Sequence, residues 1–227
     1  MPRGKIRQVR FADRRQAGAL LAERLSHYAG RDDVLIFALP RGGVPVGYEV
    51  ARYLNAPLDV CVVRKLGVPG QEELAMGAIA SGGTLVLNES IIEALNIPRR
   101  TIESVEARER RELEWRENEF RGELPVADVK GKIVVLVDDG IATGSTMKSA
   151  VESLRGRSPS RIVVATPVAP ATVDSDFQEI ADEIVCLIKP EPFHAVGLWY
   201  EDFTPTTDPE VRDLLNRARD GEQSEAR

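Results

Sequence analysis

Two adjacent carboxylates, Asp138 and Asp139, close the aliphatic run Val134–Val137 and stand directly before Gly140-Ile141-Ala142-Thr143-Gly144-Ser145-Thr146. The run has the character of a buried strand. The apolar spacing of Met147, Ala150, Val151 and Leu154 then starts a helix. A helix N-terminus offers unpaired N–H groups and partial positive charge, so this loop suits a phosphate. Gly140 and Gly144 let the backbone approach a ligand, and Thr143, Ser145 and Thr146 add hydroxyl donors. Two carboxylates beside such a pocket would repel a bare polyphosphate. They suit a ligand whose hydroxyl groups donate to them, or a divalent cation. A ribose 5-phosphate carries both a phosphomonoester and vicinal hydroxyls.

Other charged and glycine-rich positions fall after strands. Ala38-Leu39-Pro40-Arg41-Gly42-Gly43 is a second strand–glycine turn, with Arg41 beside amides that suit an anion. Arg64-Lys65 ends the apolar run Leu58–Val63, and Glu72 and Glu73 follow on a stretch rich in Gly and small residues, with a turn signal at Pro69-Gly70. The Lys of a Walker A loop and the GxGxxG pattern are both missing, so neither a P-loop NTPase nor a dinucleotide fold is supported. Phe193 and His194 lie in an aromatic-rich segment, 189–203, of a chain with only 5% aromatic residues. His194 has no Cys or His neighbour at ligand spacing, so a metal role is rejected for it.

The segment VVLVDDGIATGST, 134–146, strongly resembles the phosphoribosyl diphosphate (PRPP) binding motif of type I phosphoribosyltransferases. The resemblance covers about residues 33–203. It implies that Asp138 and Asp139 hold ribose hydroxyls and the Mg2+ shell, as metal-binding residues with a part in catalysis. It implies further that Gly140 and residues Ala142, Thr143, Gly144, Ser145 and Thr146 form the donor pocket around the 5-phosphate. By the same likeness Arg41, Gly42 and Gly43, with Arg64 and Lys65, bind the diphosphate, which Mg2+ bridges. The stretch from Leu66 resembles the flexible catalytic loop, which puts Lys65 and Glu73 among the candidate catalytic residues. The segment 189–203 takes the place of the hood that stacks on a nucleobase, with Phe193 or His194 as the stacking group. Ala142 stands where hypoxanthine-guanine enzymes carry an Asp, as it does in adenine-, uracil- and orotate-type members, so the motif leaves the acceptor open. The implied reaction transfers phosphoribosyl from PRPP to a nitrogen acceptor, a nucleobase in nucleotide salvage, and releases diphosphate. A non-catalytic PRPP or nucleotide sensor and a hydrolase of sugar phosphates are the competing readings.

The elements that must position these groups alternate. Helix 13–29, strand Val34–Leu39, helix Val44–Leu54 and strand Leu58–Val63 open the chain. A mobile loop follows, then short strands near Gly77–Ala80 and Thr84–Leu87. Asn88 or Ser90 caps a short helix, and Pro98 starts a charged helix over 99–121. Strand 132–138, helix 145–155, strand Ile162–Thr166, a helix near 171–181 and strand Ile184–Ile188 complete the pattern, with a frayed polar tail after Leu215. The expected fold is α/β, a type I phosphoribosyltransferase-like parallel sheet with helices on both faces. We expect a single domain over 1–227, with a helical insert at about 90–121 and a hood from about 1–30 and 189–215. A net charge of −6 disfavours nucleic acid as a partner, and the basic run Arg3, Lys5, Arg7 and Arg10 reads as a solvated arm. Cys61 and Cys186 read as buried free thiols of a reducing compartment. With no signal peptide and no apolar stretch of about 18 residues, the expectation is a cytoplasmic protein without a membrane partner. A homodimer is expected from its frequency among relatives.

Overall fold

A computed structural model describes residues 10–122 and 124–225, with side chains to 221. Arg3, Lys5 and Arg7 of the basic arm, and hood positions 1–9, lie outside the described residues. In chain order the elements are α1 (Arg14–Arg24), a 3-10 turn (Ser26–Tyr28), β1 (Val34–Ala38), α2 (Gly43–Leu54) and β2 (Leu58–Val60). Next come β3 (Val63–Val68), β4 (Gln71–Ala80), β5 (Thr84–Leu87), α3 (Glu89–Ala94) and α4 (Arg99–Arg121). The remainder is β6 (Ile133–Val137), α5 (Ser145–Arg155), β7 (Arg161–Val168), α6 (Val173–Phe177), β8 (Glu183–Ile188), a 3-10 turn (Val196–Trp199) and α7 (Asp208–Glu225).

Five parallel strands form the main sheet in the order β2-β1-β6-β7-β8. Successive strand side chains point to opposite faces. Ile36, Val135 and Val163 therefore join α1, α2 and α7 in one core layer, while Phe37, Leu136 and Val164 join α5 and α6 in the other. Strand order reverses between β1 and β6, because the chain steps from β1 outward to β2 and returns on the other side. Ligand crevices of open α/β sheets form at such a switch, beyond the carboxyl ends of the strands. Residues 39–43 and 138–146 flank it.

The second sheet corrects two expectations. The apolar run 58–63 is broken: β2 stops at Val60, and Val63 opens an antiparallel sheet in the order β3-β4-β5. The Val62 N–H donates to Ser81 Oγ at 2.9 Å, which turns the chain into this sheet. Arg64 and Lys65 thus lie inside β3, paired with Ile79 and Ala78. The stretch expected as a mobile loop is the β3–β4 hairpin, turning at Pro69-Gly70. Helices α3 and α4 follow β5, with Asn88 capping α3 through the Ile91 N–H. The tail does not fray at Leu215. Val211, Leu214, Leu215 and Ala218 form an i, i+3, i+4, i+7 stripe that packs α7 onto the first core layer. Among the described residues no helix is long and apolar enough to cross a membrane.

Candidate active site

The acidic pair sits where β6 ends. The Asp139 N–H donates to Asp138 Oδ1 at 2.8 Å. Arg14 of α1 reaches Asp139 Oδ2 through Nε at 2.7 Å, both side chains being largely buried (11% and 14% exposed). The Tyr200 hydroxyl donates to the Asp139 carbonyl at 2.5 Å. Burial, and then the charge of Asp139, hold the Asp138 carboxyl well above the usual carboxylate range. Burial raises Asp139 too, opposed by Arg14. Burial also raises the Tyr200 phenol, which keeps it a donor.

The glycine turn after β1 presses against this pair. A Cβ on Gly42 would fall 2.1 Å from Asp139 Oδ2, and one on Gly43 would fall 2.8 Å from the Val137 carbonyl. Only glycines permit the approach. The Pro40–Arg41 peptide between β1 and these glycines is cis. Arg41 is half exposed, with Nη1 3.7 Å from Asp208 Oδ1 at the start of α7. On the other side of the acids, Gly144 occupies the N-cap position of α5 in left-handed conformation (φ 75°) and offers no side-chain cap. The Ser145 N–H has only a long contact, 3.5 Å, to Thr143 Oγ1, so the helix start remains suited to an anion. Ala142, Thr143, Ser145 and Thr146 are exposed, and the Thr143 and Ser145 hydroxyls lie 3.3 Å apart. This arrangement can accept hydroxyl donors at the acids and an anion at the α5 terminus.

A small aromatic cluster covers one flank. Phe11 pairs with Tyr200 as an isolated bridge, its N–H donating to the Trp199 carbonyl at 2.9 Å, while the Glu201 N–H donates back at 2.8 Å. Phe11, Ala17, Val168, Trp199 and Tyr200 form a small core against which Phe193 packs, partly buried. His194 and Ala195 are exposed beside it. Val196 lies directly over Gly140, where a Cβ would meet its Cγ1 at 2.3 Å.

The basic residues divide. Arg41 and Arg64 line one cleft of about 270 Å³ together with Arg116 of α4, Thr146, Cys61 and Phe120. Arg64 is already held by the buried Glu109, at 2.7 and 3.0 Å. Lys65 Nζ donates across the hairpin to the Glu73 carbonyl at 2.9 Å and to its Oε2 at 3.3 Å, and the Glu73 carboxylate is otherwise fully exposed. Glu72 accepts from the Gly70 N–H at the turn. Lys65 and Glu73 are thus brought to each other, and no contact joins them to the acidic pair. Sequence reasoning missed Arg14, Tyr200 and Arg116. The first two belong to the helix and the aromatic segment expected in the hood; Arg116 carries a weak signal, lying between the apolar positions Leu113 and Phe120 of α4.

Among the described residues no three His, Cys, Asp or Glu side chains cluster as a metal cage. Mg2+ needs no such cage: it binds through one or two carboxylates plus substrate oxygens and water, and the two adjacent carboxylates at the end of β6 fit that habit.

Residues 12–196 match the family described as Phosphoribosyl transferase domain. Two Mycobacterium tuberculosis proteins, from strains CDC 1551 and H37Rv and provisionally named phosphoribosyl transferases, are 46% identical over 208 residues. The match takes in 92% of this chain and 47% of theirs, so the chain spans about half the length of the curated relatives it matches. The crystal structure of TT1426 from Thermus thermophilus superposes with a TM-score of 0.82 at 44% identity, over 92% of this chain and 98% of that one.

Proposed function

Since the chain belongs to the phosphoribosyl transferase domain family, we propose that it is an enzyme that transfers phosphoribosyl from PRPP to a nitrogen acceptor, a nucleobase or related amine. The observation that carries this reading is the placement of Asp138–Asp139 at the strand-order switch, against Gly42–Gly43 and beside the N-terminus of α5. Asp138 and Asp139 accept from the ribose hydroxyls; the amides and hydroxyls of 142–146 hold the 5-phosphate. Arg41 and the Gly42 amide face the diphosphate; the Gly43 N–H, expected to join them, donates to the Leu39 carbonyl at 3.0 Å instead. Asp138 and Asp139 are also the residues that would hold Mg2+, which when bound neutralises charge on the diphosphate.

In the reaction the acceptor nitrogen attacks C1 with its lone pair. The C1–O bond to diphosphate breaks and its electron pair leaves with the diphosphate. The nitrogen then gives up a proton to solvent or a base. Positive charge builds on the sugar and negative charge on the leaving group, so orientation and fixed cations do most of the work. Phe193 supports the acceptor side from within the hood core, and His194 stands at its rim. Cytoplasmic residence and a homodimer belong to the same reading; sedimentation velocity checks the dimer.

One observation favours a second reading, a PRPP or nucleotide sensor: the expected catalytic pair Lys65 and Glu73 bind each other. Calorimetric titration with PRPP and Mg2+, followed by a diphosphate-release assay over a panel of nucleobases and amines, separates the two. Binding with acceptor-dependent release is expected. Binding without release supports the sensor, release without acceptor a hydrolase, and no binding overturns the reading of the site.

A further inference from the structure

α4 turns its buried stripe, Val105, Leu113 and Phe120, toward the second sheet and the first core layer. Arg116 falls on that stripe, three residues after Leu113 and four before Phe120, where helical periodicity calls for an apolar side chain. It is half-buried, and it lines the cleft that Arg41, Arg64 and Thr146 also line. The three guanidinium groups are not equally available. Arg64 is held by Glu109 at 2.7 Å, and Arg41 has Asp208 at 3.7 Å. Arg116 has no carboxylate partner among the described residues; its guanidinium lies 5.7 Å from the centroid of the neighbouring Trp115 ring. An unpaired cation at a half-buried position, beside two more of the same sign, is disfavoured until an anion fills the space.

We propose that Arg116, from the helical insert, is the principal anion anchor of this cleft and selects for a diphosphate over a monophosphate ligand. It takes the part that the family resemblance implies for Lys65, which donates to Glu73 instead. The identity of the donor, PRPP, rests on the function proposed above; the anion site does not.

The test titrates the full chain and its Arg116→Gln variant calorimetrically with inorganic diphosphate, ribose 5-phosphate and PRPP. Arg111→Gln, on the exposed side of the same helix, controls for the lost charge. Arg116→Gln is expected to weaken inorganic diphosphate and PRPP roughly ten- to hundredfold, the scale of one lost charge-assisted contact. Ribose 5-phosphate should stay within about twofold, and Arg111→Gln should change none of the three. The proposal is overturned if the native chain does not bind inorganic diphosphate, if Arg116→Gln binds it as the native chain does, if Arg111→Gln matches its effect, or if ribose 5-phosphate weakens equally. Selective loss of diphosphate binding in a chain that ignores PRPP and ribose 5-phosphate would support the anchor while rejecting the phosphoribosyl reading.

Discussion

Asp138 is a carboxyl group whose charge is disfavoured twice, by burial and by Asp139 beside it. The folded chain therefore keeps a proton that the unfolded chain releases. Stability from this site is fully present below the ordinary carboxylate range and is lost as pH rises through the raised value. Asp138→Asn removes the ionisable partner. At pH 8 it should melt a few degrees above the native chain, since each 1 kcal/mol moves Tm by roughly 2–4 °C at this size. The difference should shrink toward pH 4, while affinity for PRPP with Mg2+ falls; melting curves across pH check the first and calorimetry the second. A variant less stable at pH 8 would mean that Arg14 already offsets the repulsion. The cysteines make a separate case. Burial pushes the Cys61 thiol up to about 12 and Cys186 up to about 11, so almost no thiolate exists at pH 8. Iodoacetamide should leave both unmodified in the folded chain and alkylate both in denaturant, as read by intact mass.

At the scale of elements, α4 is held to the edge strand β2 by a buried ion pair. Arg121 donates to Asp59 Oδ1 at 2.7 Å, to the Val60 carbonyl at 2.6 Å and to Glu117 at 3.1 Å, with its side chain 2% exposed. Removing one partner strands the other, so Arg121→Ala should cost about 3–5 kcal/mol. Urea unfolding at constant slope measures it; a loss below about 1 kcal/mol would show that water reaches Asp59. Element identity was largely legible in the chain. Helix α5 runs from Ser145 to Arg155, as its glycine start and apolar period predict. The break after Val60 was not legible, because Leu58–Val63 is one continuous apolar run and nothing in it marks a change of sheet. The hairpin was missed for a related reason: Gly and small residues signal loops, yet here they line closely packed antiparallel strands.

Across the whole molecule, the site is assembled by parts far apart in the chain. Arg14 and Asp139 are separated by 125 positions, and Tyr200 by 61 from the acid whose carbonyl it holds. The small aromatic cluster around Tyr200 closes this circuit through Phe11, which is 3% exposed. Phe11→Ala should cost about 3–5 kcal/mol from the cavity it leaves. Amide hydrogen exchange should then quicken over 195–203 well before β1 and β6 lose protection. Uniform quickening across the sheet would show instead that the aromatic cluster and the sheet unfold as one unit.

The sequence by itself determined the parallel α/β sheet, the acidic pair and the glycine- and hydroxyl-rich loop after it. These depend on neighbours in the chain: strand runs, helix caps, and glycines that free the backbone next to them. Tertiary structure alone decided which cations meet which anions. Arg14 reaches Asp139, Lys65 turns to Glu73, and Arg116 enters the cleft because α4 packs its Leu113 and Phe120 face inward. Side-chain pairing depends on the rotation and packing of whole elements, and residue type carries no record of which partner that packing supplies.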